Sequence, residues 1–147
     1  MKRYTCMVVA ALSLLIALAS SFASPQIEGE LRVNVPFTFY VGNTELPAGD
    51  YTINRVVPGN PDVLEIRSSD GKTAVLITGQ AAESTSTPAK TELIFKKYGS
   101  VSVLSQIFEA GNKTGVELPK LLQEERVGKG GAKPERQSVG GKSSKEK

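Results

Sequence analysis

Carboxylates are the side chains of this sequence whose chemistry could support catalysis. Two carboxyl groups that face each other across a cleft can hydrolyse a glycosidic bond, one as acid and the other as base or nucleophile. Most of the acids fall in predicted turns or beside basic residues, as surface charges do, and no spacing marks a pair. A carboxylate-based hydrolase is therefore the least favoured functional hypothesis. The candidates are Asp50, Asp62, Glu65, Asp70, Glu92 and Glu109.

The other common catalytic residue types are scarce. The chain has no histidine, and Cys6 is its one cysteine. Serine–histidine and cysteine–histidine nucleophile systems therefore have no base, and a zinc site built on cysteine or histidine has no ligands. We expect a protein that is not an enzyme and that holds no metal and no cofactor.

The first 23 residues have the layout of a secretory signal peptide. Lys2 and Arg3 precede an apolar run, Met7–Ala19, and small residues follow it. Such a run is too short to span a bilayer, which makes an uncleaved membrane anchor the weaker alternative. We predict cleavage after Ala23 and a periplasmic or extracellular location. Membrane contact is then expected through the signal peptide before cleavage, with the C-terminal tail as a weaker second route.

Charge divides the exported chain into two parts. Residues 24–126 carry 10 basic and 13 acidic residues, whereas residues 127–147 carry 6 basic and 2 acidic residues. A net negative domain does not attract a phosphate backbone, so nucleic acid is not an expected partner. Residues 127–147 consist largely of Gly, Lys and Ser, and we predict a disordered basic tail there.

Residues 31–41 alternate strictly between apolar and polar side chains, as a half-buried strand does. The apolar face begins at Leu31, and Pro36 marks an edge, a bulge or a break. Its polar face gives a candidate binding surface with one aromatic ring, although the solvated side of a one-faced sheet is the simpler interpretation. The residues of this surface are Arg32, Asn34, Thr38 and Tyr40.

Turn residues separate the further apolar segments at short intervals. Asp70-Gly71 and Gly99-Ser100 are typical of hairpin turns, and residues 79–90 read as a long loop. The pattern predicts an all-β domain, an antiparallel sandwich or small barrel of about six to seven strands. Its bounds are 24–126, with the core at about 27–118, and a short helix could follow at Pro119–Arg126. The later strands are Tyr51–Val57, Val63–Arg67, Thr73–Thr78, Thr91–Tyr98 and Val101–Glu109.

The span Val35–Ile53 reads VPFTFYVGNTELPAGDYTI. It resembles the leading motif of a family of short exported bacterial β proteins that has no assigned activity. The resemblance continues more loosely through Ser69–Lys72 to Leu104–Gln106 and Glu117–Pro119. The piece LPAGDYTI within it is also similar to a turn and strand of prealbumin-like β-sandwich modules. The resemblance implies a β fold and an exported location, and it implies no catalytic residues.

Two further functional hypotheses follow. The first is a non-enzymatic binding or structural module of the cell envelope or secreted fraction, which meets an envelope protein or a second copy through a sheet edge. The second is a small barrel that carries an apolar ligand in an aromatic-lined cavity. A domain of this size needs its large side chains for packing, so we expect these rings to form the core instead. They are Phe37, Phe39, Phe95, Tyr98 and Phe108.

Overall fold

The structure is a computed structural model that describes residues 29–57, 60–120, 125, 129–131 and 133–144. The predicted signal peptide lies outside these residues, as does most of the predicted helix at 119–126. The described residues form eleven strands, so the all-β prediction is confirmed and the predicted number of strands is wrong. They are β1 (Leu31–Val35), β2 (Phe39–Val41), β3 (Thr44–Leu46), β4 (Gly49–Val57), β5 (Asn60–Ser68), β6 (Ala74–Thr78), β7 (Gln80–Glu83), β8 (Glu92–Tyr98), β9 (Val101–Phe108), β10 (Thr114–Glu117) and β11 (Glu135–Ser143).

The strands form one mixed sheet that curls into a nearly closed, barrel-like shape. Its order is β3-β2-β9-β8-β11-β1-β4-β5-β6, and β10 pairs with both β7 and β9. All the pairings are antiparallel except that of β2 with β9, which is parallel at Tyr40 and Val103. The sheet is therefore closer to the small barrel than to the sandwich among the predicted alternatives.

Pro36 breaks the first predicted strand into two. β1 lies between β11 and β4, whereas β2 forms a hairpin with β3 and also meets β9. Proline cannot donate a hydrogen bond to a ladder, so the break falls where its ring interrupts the pairing. The predicted faces are nevertheless correct: Leu31, Val33 and Val35 are buried, and Arg32 is exposed.

Gly79 carries the chain from one side of the sheet to the other. It joins β6, which pairs with β5, to β7, which pairs with β10. A Cβ atom on Gly79 would lie 2.1 Å from Cγ1 of Val116, so a larger residue would push the two segments apart. The chain at Gly79 thus links the β5–β6 pair to the β7, β10 and β9 strands, although β6 and β7 do not pair with each other among the described residues.

Aromatic rings fill the centre of the molecule. Phe95 meets the edges of Phe37 and Phe39 at centroid distances of 5.2 and 5.4 Å, and Phe39 packs on Tyr51 at 5.2 Å. Such edge-to-face pairs stabilise a core beyond their buried area. The prediction that the rings pack rather than line a cavity is confirmed for Phe39 and Phe95, which belong to the main core cluster.

Phe108 and Tyr98 are also buried, but Phe108 belongs to a second, smaller cluster with Ile94 and Ala82. The loop that follows β7 lies near this cluster, since its Pro88 carbonyl accepts a hydrogen bond from the amide of Gly111 at 2.9 Å. The predicted loop over 79–90 is therefore correct only after Glu83, because β7 pairs with β10.

The turn between β3 and β4 is held by an aromatic side chain from the strand that follows. The hydroxyl of Tyr51 donates a hydrogen bond of 2.6 Å to the carbonyl of Pro47. Leu46 is fully buried just before the turn. Gly42, in the β2–β3 turn, has a positive φ of 64°.

Both predicted hairpins form. Gly99 has a positive φ of 62° and Ser100 does not have a positive φ, as expected of a two-residue loop that begins with glycine. The hairpin after β5 has a longer loop, in which the Gly71 amide donates to the Ser68 carbonyl at 2.9 Å. The sequence therefore predicted these two strand pairs correctly.

The disordered tail is the prediction that the structure corrects most. Within residues 127–147, Glu135–Ser143 form β11, which pairs antiparallel with β8 on one side and with β1 on the other. Its composition gave no strand signal, because Val139 is the single large apolar side chain it contributes to the core. Backbone hydrogen bonds to β8 and β1 order this segment, because its side chains bury too little apolar surface to do so.

Two adjacent glycines of β11 differ in the space around them. A Cβ atom on Gly141 would lie 3.0 Å from the Arg32 carbonyl oxygen and 3.3 Å from Cγ2 of Thr91, whereas nothing lies within 4 Å of one on Gly140. We predict that Gly141→Val lowers the free energy of unfolding by about 1–3 kcal/mol through overpacking.

The matched variant Gly140→Val should change that free energy by less than about 0.5 kcal/mol. Urea denaturation of both variants measures the difference. Equal stability of the two variants would contradict the placement of β11 with Gly141 turned inward.

Candidate functional site

The candidate binding surface of the sequence is divided by the break at Pro36. Arg32 and Asn34 lie on the outer face of β1, whereas Tyr40 lies on β2, opposite Glu45 of β3. The Tyr40 hydroxyl donates a hydrogen bond to the Glu45 carboxylate. That bond raises the pKa of the Tyr40 phenol above its usual range. Thr38 is exposed in the segment between the two strands, so the four residues do not share one strand face.

Arg32 and Asn34 help to line an open polar groove of about 660 Å³ on the outer face of β4, β1 and β11. Nδ2 of Asn34 donates to Oδ1 of Asp50 at 2.8 Å, and Nε of Arg32 lies 2.6 Å from a carboxylate oxygen of Glu30. Lys142 is the other cation of the groove and lies directly opposite Arg32. Asn34 and Asp50 of this surface are thus engaged with each other, and Arg32 is engaged with Glu30.

Three of the acidic candidates, Asp50, Glu65 and Asp70, have separate local partners. Besides Asp50 with Asn34, Glu65 accepts a bond of 2.7 Å from Arg67. Asp70 accepts a bond of 2.6 Å from the Ser68 hydroxyl, which lowers the pKa of the Asp70 carboxyl.

Glu92 lies half-buried on β8, and the side chain of Asp62 lies outside the described residues. Within the described chain, no group of three or more acids, cysteines or histidines could hold a metal ion.

Glu109 was predicted to be a surface charge, and nothing in the sequence indicated that it is buried. It is 1% exposed at the end of β9, and its carboxylate accepts hydrogen bonds from the Ser143 hydroxyl and from Nδ2 of Asn112, the latter at 3.3 Å. The contact with Ser143 ties the last residue of β11 to the residue that directly follows β9. A buried carboxylate requires such donors, since it loses its water on burial.

We predict that Ser143→Ala lowers the free energy of unfolding by about 1.5–3 kcal/mol, because it removes a donor to a buried charged group. Ser138→Ala removes a hydroxyl from an exposed position of the same strand and should change stability by less than about 0.5 kcal/mol. Thermal unfolding of the two variants at neutral pH makes the comparison. Indistinguishable unfolding curves would show that the Ser143–Glu109 contact does not stabilise the fold.

The two ends of the sheet order differ in how they are protected. β3 is three residues long, contains the charged Glu45 and is followed at once by Pro47, all of which discourage pairing with another chain. β6 has none of these features, since Thr73–Gly79 contain no charged residue and no proline. Within the part of the chain that the structure describes, β6 pairs only with β5.

The side chains of β6 divide between the core and solvent. Val75 and Ile77 are half-buried against the main core, whereas Leu76 is 64% exposed. Beside this strand lies a groove of about 280 Å³, whose opposite wall includes the β2–β3 turn and the segment Leu118-Pro119. An uncharged strand edge, an exposed leucine and an adjacent groove are the features that a strand-adding ligand requires. We therefore take this β6 edge, Ala74–Thr78 with its groove, as the candidate functional site.

Sequence reasoning predicted the strand Thr73–Thr78 but did not distinguish it as an edge. Strand order is set by long-range pairing, which a single sequence does not show. The available signal was the absence of charge between Lys72 and Glu83, which is unusual for a strand that ends a sheet.

Comparisons of the chain with protein-family models, with curated proteins and with solved structures found no match. Among the described residues, no helix is long and apolar enough to cross a membrane.

Proposed function

We propose that this chain is a non-enzymatic, exported protein whose β domain works as a binding or structural module of the cell envelope or secreted fraction. The signal peptide predicted over residues 1–23 supports export, and the resemblance of Val35–Ile53 to the exported β family supports the same location. The observation that carries the binding function is the β6 edge, which pairs only with β5 among the described residues and has Leu76 exposed beside a groove.

The mode of binding that we propose is strand addition. An extended segment of another protein pairs its backbone with the free edge of β6 and buries Leu76 with its own side chains. Main-chain hydrogen bonds supply affinity in such complexes, and the pockets beside the edge supply specificity. The groove toward the β2–β3 turn and Pro119 gives room for side chains of the added segment. An envelope protein is the proposed partner.

Two other functions receive less support. An apolar-ligand carrier needs an empty interior, whereas Phe39, Phe95 and Leu93 occupy the centre of this one. A carboxylate hydrolase needs two acids that face a common substrate, whereas Asp50 and Asp70 are each engaged by a separate donor.

Leu76→Lys tests the proposal. A lysine at the centre of an edge strand discourages pairing and removes the apolar contact, so we predict that partner binding weakens by about tenfold to a hundredfold, as expected for about 1.5–3 kcal/mol from one buried leucine. The measurement is capture of envelope proteins by the immobilised exported chain, followed by titration of the captured protein.

Val56→Lys is the matched control. Val56 is the other exposed large apolar side chain among the described residues, 43% exposed, and it lies on β4, which pairs with β5 and β1 and not with β6. This variant should bind as the unaltered chain does. An empty capture, or equal capture by both variants, rejects the β6 edge as the binding site. If the captured protein is this chain itself, the partner is a second copy.

A further inference from the structure

β11 occupies a slot with two pairing edges. Its residues 135–140 pair with β8, and its residues 141–143 pair with β1, so it lies between two strands that are not otherwise neighbours. Both flanking strands turn apolar side chains inward, including Leu31, Val33, Leu93 and Phe95. Without β11, the backbone groups of two edges would lose their partners beside an apolar core. The slot is therefore a built acceptor for one antiparallel strand.

The strand that fills this slot is weakly attached through its side chains. On its inner face, Gln137 and Val139 are only half-buried, and Gly141 has no side chain. On its outer face, Lys142 lies directly opposite Arg32, and like charges in that position oppose pairing. Ser143 is the one residue of β11 whose side chain is fully buried. Backbone hydrogen bonds thus account for most of what holds β11.

The chain between β10 and β11 is long enough to serve either of two slots. Leu118 is buried in the main core, so residues 119–134 connect it with Glu135. These 16 residues can extend to at most about 55 Å. A second copy carries a β11 of the same sequence, so it makes the same backbone and side-chain contacts in the slot. Intramolecular and intermolecular filling then differ mainly in the effective concentration that the tether provides.

We infer that the slot between β1 and β8 is a strand-acceptor site for a second copy of this chain, which enters it with its own β11. The product is a dimer in which the C-terminal strands are exchanged. A tether of this kind provides an effective concentration on the order of 1 mM, so exchange becomes substantial as the protein concentration approaches that value. This assembly is independent of the β6 edge and goes beyond the proposed function.

A disulfide that fixes β11 to its own β1 provides the test. Arg32 and Lys142 are exposed and directly opposite, and opposed residues of antiparallel strands have the Cα separation that a disulfide needs. The double variant Arg32→Cys/Lys142→Cys is oxidised while dilute, and its monomer is isolated. The exported chain has no other cysteine, and Cys6→Ser serves where the leader is retained.

The oligomeric state of this variant is then measured by light scattering before and after reduction. We expect the reduced variant and the unaltered chain to form dimers, with a dimer-to-monomer ratio that rises about tenfold for each tenfold rise in monomer concentration up to about 1 mM. The oxidised variant should stay monomeric. Dimers of the oxidised variant at the same level, or no dimer of the reduced variant, would overturn the inference.

Mixing single variants shows which strands have exchanged. In a mixture of Arg32→Cys with Lys142→Cys, exchange places the two cysteines of different molecules opposite each other, so the mixed disulfide should exceed the two self-pairings. Arg32→Cys with Lys72→Cys is the matched control, because Lys72 is an exposed lysine in the β5–β6 loop. Equal cross-linking in both mixtures would contradict exchange of β11.

Leu76→Lys separates this assembly from pairing at β6. Exchange of β11 should proceed unchanged in that variant, because Leu76 lies on β6 and takes no part in the slot. Loss of the dimer in Leu76→Lys would assign self-association to the β6 edge and overturn the inference, while leaving strand addition at β6 intact.

Discussion

The structure depends on the pairing of backbone groups at the edges of β1 and β8. Both strands contribute side chains to the core, so their edges lie next to the interior. Each N–H or C=O left unpaired there would cost free energy. β11, the last strand of the chain, pairs with the edges of both strands. It contributes few side chains to the core, and its buried Ser143 hydroxyl fixes its end to Glu109. The closing strand thus works mainly through its backbone.

The same requirement explains why β9 is the most connected strand. One of its edges pairs with β8 along nearly its whole length, and the other is shared between β2 at Val103 and β10 at Gln106 and Ile107. Gly115 makes the second junction possible, because a Cβ atom there would lie 2.3 Å from the Ile107 carbonyl oxygen. The β2–β3 hairpin is thereby held near β6, which creates the groove beside the candidate site.

The local sequence pattern was sufficient to predict the strands and turns that are determined by their own side chains. The alternation from Leu31 to Val41 gave the correct faces, and Gly99-Ser100 gave a correct hairpin, since in both cases neighbouring residues carry the signal. β11 could not be predicted in this way. Its Gly, Ser and Lys residues are ordered by two strands that are distant in sequence, and tertiary context of this kind overrides strand propensity.

The candidate site was only partly accessible to the same reasoning. Thr73–Thr78 was predicted as a strand from its apolar side chains, but its position at the end of the sheet depends on where the chain passes after Gly79. Pro36 divides the surface that the sequence suggested, from Arg32 to Tyr40. The break in strand pairing at Pro36 was predicted, but the division of the surface was not. Glu109 escaped notice because burial of an acid leaves no local pattern.

The contrast between the protected and unprotected edges is the strongest argument that β6 is open for a reason. This chain orders its C-terminal segment to cover two edges, and it blunts a third, β3, with a charge and a nearby proline. Leu76 could be replaced by a charged residue without loss of packing, because its side chain points mostly into solvent. A fold that covers these two edges and blunts a third therefore leaves β6 uncharged at no benefit to its own stability. Natural sheets seldom leave such an edge unguarded, which supports the proposal that another chain pairs with it.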